Sequence, residues 1–130
     1  VKPSETALEQ ALFWARFAGK RGEEARRLAL SALERLGLAD RQDVPGRGLS
    51  AGQRRRLALS RLLIDPRPVW LLDEPVAALD AQGRAAMMEL AGEHVAAGGL
   101  MVAAMHGEGF AHARQLDLGQ QAPPTAEGRP

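Results

Sequence analysis

Val69-Trp70-Leu71-Leu72-Asp73-Glu74 is the stretch that decides the fold. Four apolar residues follow Pro68 and stop at two carboxylates, which reads as a short strand buried on both faces of a parallel sheet. A second such run, Leu100-Met101-Val102-Ala103-Ala104-Met105, ends at His106. Between the two runs, Ala81 to Ala97 is helical by composition, and Gly98-Gly99 forms its stop. Strand, crossover helix and parallel strand make a right-handed βαβ unit. Both strands then end on one edge of the sheet, where open α/β sheets bind their ligands, so Asp73, Glu74 and His106 are expected together there.

Two carboxylates after an apolar strand suit magnesium-dependent phosphoryl chemistry. A hard cation takes an oxygen ligand, and a neighbouring carboxylate can orient and polarise a water. Taken alone, the pair reads equally well as two solvated side chains at a strand end. Upstream, Leu49-Ser50-Ala51-Gly52-Gln53 leads into a helix expected over Arg54 to Ile64, carrying Leu57, Leu59, Leu62 and Leu63 and stopped by Asp65-Pro66. Ser50 is a natural N-cap. The small residues at 51 and 52 would let an anion approach backbone N–H groups at the positive end of the helix dipole. In isolation this segment is also what an ordinary cap looks like.

The residues before Gly48 read as helices. Thr6-Ala7-Leu8-Glu9 has capping-box spacing, and a second helix is expected from Glu23 to Leu36, with Gly37 as its stop. Gly119 to Pro130, rich in Pro and Gly and without apolar period, reads as a disordered tail. The expected organisation is a helical subdomain over 1–48, a sheet-bearing part over 49–118 and a tail over 119–130. Several residues invite a functional reading and a plainer one. Arg54-Arg55-Arg56 could form a nucleic-acid patch but reads better as a solvated first turn. His94 and His112 read as surface residues, Trp14 and Trp70 as packing, and Met87, Met88 and Met101 as core filling.

Composition narrows the classes. Seventeen basic against sixteen acidic side chains leave a net charge of +1, which gives no support for a nucleic-acid face, so no nucleic-acid partner is expected. There is no cysteine, which excludes disulfides and thiolate metal sites and fits a reducing compartment. No apolar run approaches the roughly 20 residues that span a bilayer. Val rather than Met stands first, so an alternative start codon or a truncated chain is expected.

Together these segments resemble the ABC-type ATPases. Leu49 to Gln53, with the helix after it, is similar to the signature motif. Trp70 to Pro75 is similar to Walker B with its glutamate, Ala78-Leu79-Asp80 to the D-loop, and His106 to the switch histidine. Asp-Glu-Pro followed by Ala-Leu-Asp resembles the transporter branch. Lys2-Pro3, Glu5 to Glu9 and Phe13 to Phe17 resemble the haem exporter ATPase of bacterial cytochrome c maturation. The resemblance implies an α/β, partial P-loop NTPase fold, with ATP and Mg2+ as cofactors. It implies a second ATPase subunit (a homodimer) and transmembrane permease subunits as partners, at the cytoplasmic face of the bacterial inner membrane. It further implies that Ser50, Ala51, Gly52 and Gln53 meet the nucleotide of the opposite subunit. Asp73 would hold magnesium, Glu74 polarise water, His106 contact the γ-phosphate, and Asp80 link the two sites. The 130 residues contain no G-x-x-x-x-G-K-S/T phosphate cradle; Gly19-Lys20 is followed by Arg21 and has no strand before it. The chain is therefore expected not to bind ATP alone, and a non-catalytic module offering only its signature and permease-docking faces is the competing reading.

Overall fold

The structure, a computed structural model, describes residues 2–106, 109–110 and 113–116. The expected tail over 119–130 and His112 lie outside the described residues. Two helices, α1 (Ala7–Phe17) and α2 (Gly22–Arg35), open the chain. The Thr6 hydroxyl accepts from the Glu9 amide while the Glu9 carboxylate accepts from the Thr6 amide, the reciprocal cap that the sequence spacing predicts. Ala7, Ala11 and Ala15 form a fully buried ridge at four-residue spacing. α1 packs on α2, whose Ala25, Ala29, Ala32 and Leu33 are also buried, and small side chains on both helices permit a close approach. At the end of α2 the Leu38 amide donates to Leu33 O and the Gly37 amide to Glu34 O, with Gly37 at φ +63°. Glycine is needed in that left-handed turn, and the paired leucines, both fully buried, seal it.

Two short 3-10 turns, Ala39–Arg41 and Gly46–Gly48, carry the chain to α3 (Ala51–Ala58) and α4 (Ser60–Ile64). The sequence predicts one helix from Arg54 to Ile64. Instead the helix begins at Ala51, directly after its cap, and breaks at Leu59. There the Leu59 amide donates to Arg56 O and the Leu62 amide to Leu59 O, so the bonding tightens to three-residue spacing. The chain then enters β1 (Val69–Asp73), α5 (Ala81–Ala96) and β2 (Leu100–Ala104). The strands pair in parallel, Val69 opposite Leu100 and Asp73 opposite Ala104, as the βαβ reading requires.

One expectation about the sheet is corrected. Trp70 is buried, with Leu72 and Met101 packed against the core on its face. The alternate residues Val69, Leu71, Leu100 and Val102 are 48–72% exposed. A continuous apolar run implies cover on both faces, but among the described residues only one face of this two-stranded sheet is covered. The methionine expectation also splits: Met87 is fully buried, whereas Met88 is exposed.

Candidate functional site

The strand ends assemble the first group. Asp73 is the last residue of β1 and is exposed. The Glu74 amide donates to Ala104 O at 2.9 Å, extending the pairing with β2 by one residue. The chain then turns sharply, with Glu74 at φ +45°. A left-handed conformation in a non-glycine residue costs about 1–2 kcal/mol, so it persists only where the surroundings hold it. The Glu74 carbonyl accepts from the Ala77 amide at 3.0 Å and from the Arg55 guanidinium at 3.3 Å. So held, the Glu74 carboxylate lies 2.8 Å from His106 Nδ1, while the rest of the imidazole is open to solvent. Topology alone predicts this meeting of Glu74 and His106. The Asp73 carboxylate has no side-chain partner among the described residues, which leaves its oxygens open to a cation. No cluster of three His, Cys, Asp or Glu side chains suited to a metal occurs among those residues. One open carboxylate could supply a single oxygen ligand to a hard cation whose other ligands come from elsewhere.

The second group forms at the start of α3. Ser50 Oγ accepts from the Gln53 amide at 3.1 Å, and Gln53 Oε1 accepts from the Ser50 amide at 2.9 Å. The cap leaves the hydroxyl proton of Ser50 free to donate. Among the described residues nothing accepts from the Ala51 and Gly52 amides. Gly52 lies against Asp80: a Cβ placed on it would stand 2.7 Å from Asp80 Oδ2. Asp80 caps α5 by accepting from the Gly83 amide at 2.9 Å. The predicted site residues thus fall into two groups, Asp73, Glu74 and His106 in one and Ser50 to Gln53 with Asp80 in the other. Arg55, which reaches from α3 to the Glu74 carbonyl, joins them.

Sequence reasoning misjudged two residues. Arg54-Arg55-Arg56 is expected to be solvated, yet Arg56 is 5% exposed. Its guanidinium donates to Leu36 O, Gly37 O and Gln82 Oε1, and its Nε lies 3.2 Å from Asp80 Oδ1, an ion-pair distance without hydrogen-bond alignment. The signal was present in the spacing, because Arg56 falls on the stripe of Leu57, Ser60 and Ile64, all buried. His94 is not a plain surface residue either. It stacks on Trp70 with ring centres 3.9 Å apart and planes 7° from parallel, tying the end of α5 to β1.

With this geometry in place, the comparisons are specific. The ABC transporter family profile matches residues 1–77. The chain belongs to the ABC transporter family. A cytochrome c biogenesis ATP-binding export protein CcmA of Rhodopseudomonas palustris (strain BisB5) is 45% identical over 122 residues, covering 94% of this chain and 59% of that protein. Its counterpart in Paramagnetospirillum magneticum is 43% identical over 123 residues, covering 94% and 57%. The chain thus spans less than two thirds of the length of these relatives. Among solved structures, a dimeric post-hydrolysis state of the ATP-binding cassette MJ0796 bound to ADP and Pi superposes with a TM-score of 0.71 at 31% identity. It covers 82% of this chain and 48% of that one. The fold, of mixed helix and strand with a small parallel sheet, is that of part of the cassette it superposes on, as the sequence predicts. None of its described helices is long and apolar enough to cross a membrane.

Proposed function

We propose that these residues form the signature, Walker B, D-loop and switch-histidine portion of an ATP-hydrolysing subunit that serves export in cytochrome c biogenesis, with haem as the cargo. The observation that carries the chemistry is the 2.8 Å contact between Glu74 and His106 beside the open carboxylate of Asp73. In this reading Asp73 would hold magnesium, which would neutralise charge on the phosphates of ATP. Glu74 polarises the attacking water, and His106 orients Glu74 and reaches the γ-phosphate. Ser50, Ala51, Gly52 and Gln53 present a helix start to the nucleotide of a second ATPase subunit, and Asp80 links the two sites. The subunit docks on transmembrane permease subunits at the cytoplasmic face of the bacterial inner membrane. The relatives' names support the export reading, and the dimeric cassette bound to ADP and Pi supports the paired arrangement.

One observation favours a second reading for the chain by itself: its 130 residues hold no G-x-x-x-x-G-K-S/T cradle. Taken alone, it would offer its signature and docking faces without turnover. The test joins a P-loop-bearing ABC segment ahead of Val1. The expected chimaera hydrolyses ATP, and Glu74→Gln abolishes turnover while ATP binding and an ATP-dependent dimer persist, because the amide keeps the shape and loses the charge. Turnover within a few-fold of the parent in Glu74→Gln would move the base elsewhere.

A further inference from the structure

Arg56 has the most partners of any side chain in the described fold, and neither group of the candidate site accounts for it. It leaves the last turn of α3, is 5% exposed, and ends among groups from two other segments, the end of α2 and the start of α5. These are the Leu36 and Gly37 carbonyls at 2.9 and 3.2 Å, Gln82 Oε1 at 2.7 Å, and Asp80 Oδ1 at 3.2 Å. Three glycines close around this junction, each so near that a side chain would collide. A Cβ on Gly37 would stand 2.0 Å from Gln82 Nε2, one on Gly83 2.7 Å from Arg56 Cγ, and one on Gly52 2.7 Å from Asp80 Oδ2. A planar, permanently charged fork suits such a junction, because it can serve several fixed acceptors at once. The end of α2, the last turn of α3 and the Asp80–Gln82 turn therefore meet at one side chain.

We propose that Arg56 is a positioning residue that locks the Ser50–Gln53 helix start to the Asp80 turn and to the end of α2. A phosphate drawn to that helix start is then felt at Asp80. The phosphate part rests on the function proposed above; the mechanical coupling rests on the contacts alone. Gly52 lies close beside one oxygen of the Asp80 carboxylate and the Arg56 guanidinium stands at ion-pair distance from the other, so a shift of either side of α3 is passed to Asp80. The carbonyls of Leu36 and Gly37 anchor the guanidinium to the buried α1–α2 core, so the junction has a fixed reference.

The test uses two readouts. In the 130-residue chain, amide hydrogen exchange is followed at Gly83, whose N–H is held by Asp80, and at Gln53, whose N–H is held by Ser50. Arg56→Met, Arg56→Lys and Asp80→Asn are each compared with the parent. The coupling predicts exchange at both amides faster by about tenfold or more in every variant, with α1 and α2 protected as before. Asp80→Asn is the informative case, since asparagine still caps α5 and only the charge that Arg56 grips is lost; it also serves if Arg56→Met does not fold. Equal acceleration across all helices, or an unchanged Gln53 amide in Asp80→Asn and Arg56→Lys, overturns the proposal. In the P-loop chimaera, Arg56→Lys should lower kcat roughly 10- to 100-fold at an unchanged KM for ATP, the size expected of a small misplacement remote from the chemistry. An unchanged kcat also overturns it. A parent chimaera without turnover sinks the proposed function alone, and the exchange result then decides the coupling.

Discussion

Replacing Gly52 by alanine should destabilise the chain although alanine is the better helix former. At an exposed helical position the exchange gains about 0.5–1 kcal/mol. Here the new Cβ would stand 2.7 Å from Asp80 Oδ2 and 2.9 Å from its Cγ, so the carboxylate must move. Overpacking of this kind costs about 1–3 kcal/mol. A displaced Asp80 also releases the Gly83 amide at the cap of α5, for up to about 1 kcal/mol more. The midpoint of these ranges is a net loss of about 2 kcal/mol, and the melting temperature should fall by roughly 4–12 °C for a chain of this size. Thermal unfolding followed by far-UV circular dichroism measures it, in the parent and in Asp80→Ala. In Asp80→Ala the carboxylate is gone and only the residue-80 Cβ, at 3.2 Å, stays close, so Gly52→Ala should cost clearly less than in the parent. Gly52→Ala as stable as the parent, or an equal loss in both backgrounds, would refute the reasoning. The same closeness makes position 52 unsuited to a charge probe of the helix start, because a carboxylate there would disturb Asp80 before any phosphate arrived.

Further outcomes follow from other parts of the structure. The 130-residue chain should show no saturable binding of a fluorescent ATP analogue with magnesium at micromolar concentration, checked by fluorescence anisotropy, because it holds no phosphate cradle. In the P-loop chimaera, Asp73→Asn should weaken magnesium-dependent ATP binding, whereas Glu74→Gln should not; equilibrium binding with and without magnesium separates them. Leu71→Lys with Val102→Lys places charges on the exposed sheet face and should reduce concentration-dependent association in sedimentation velocity, because that face is bare and apolar. His94→Ala removes the ring stacked on Trp70 and should cost about 1 kcal/mol in urea unfolding, with a change in Trp70 fluorescence.

The parts of the fold that were legible in sequence are those set by local chemistry. The capping spacing at Thr6 and Ser50, the glycine after α2 and the Gly98-Gly99 stop appear as predicted, since each depends on a few adjacent residues. The meeting of Glu74 and His106 was legible for another reason: two parallel strands must end on one edge. Tertiary contacts were not legible in this way. Apolar runs at 69–72 and 100–105 carry no record of which face is covered, so the bare Val69–Leu71 side was missed. Arg56 was read by its charge when its place on a buried stripe was the better guide. The approach of Gly52 to Asp80 joins residues far apart in sequence and leaves no local trace. The positive φ of Glu74 is equally silent in sequence, because glutamate has no preference for that conformation.

The proposed function depends most directly on which nucleotide the Ser50–Gln53 helix start serves. Ser50→Asp is the suitable lesion, since aspartate still caps α3 but sets a negative charge where a phosphate must approach. A mixed dimer of P-loop chimaeras pairs one Ser50→Asp subunit with one lacking its P-loop lysine, and retained nucleotide is counted after rapid desalting, with Glu74→Gln in both subunits to stop turnover. If the helix start acts across the dimer, both lesions fall in one composite site, the other is whole, and one ATP is retained per dimer. A mixed dimer of folded subunits that retains none would contradict the account.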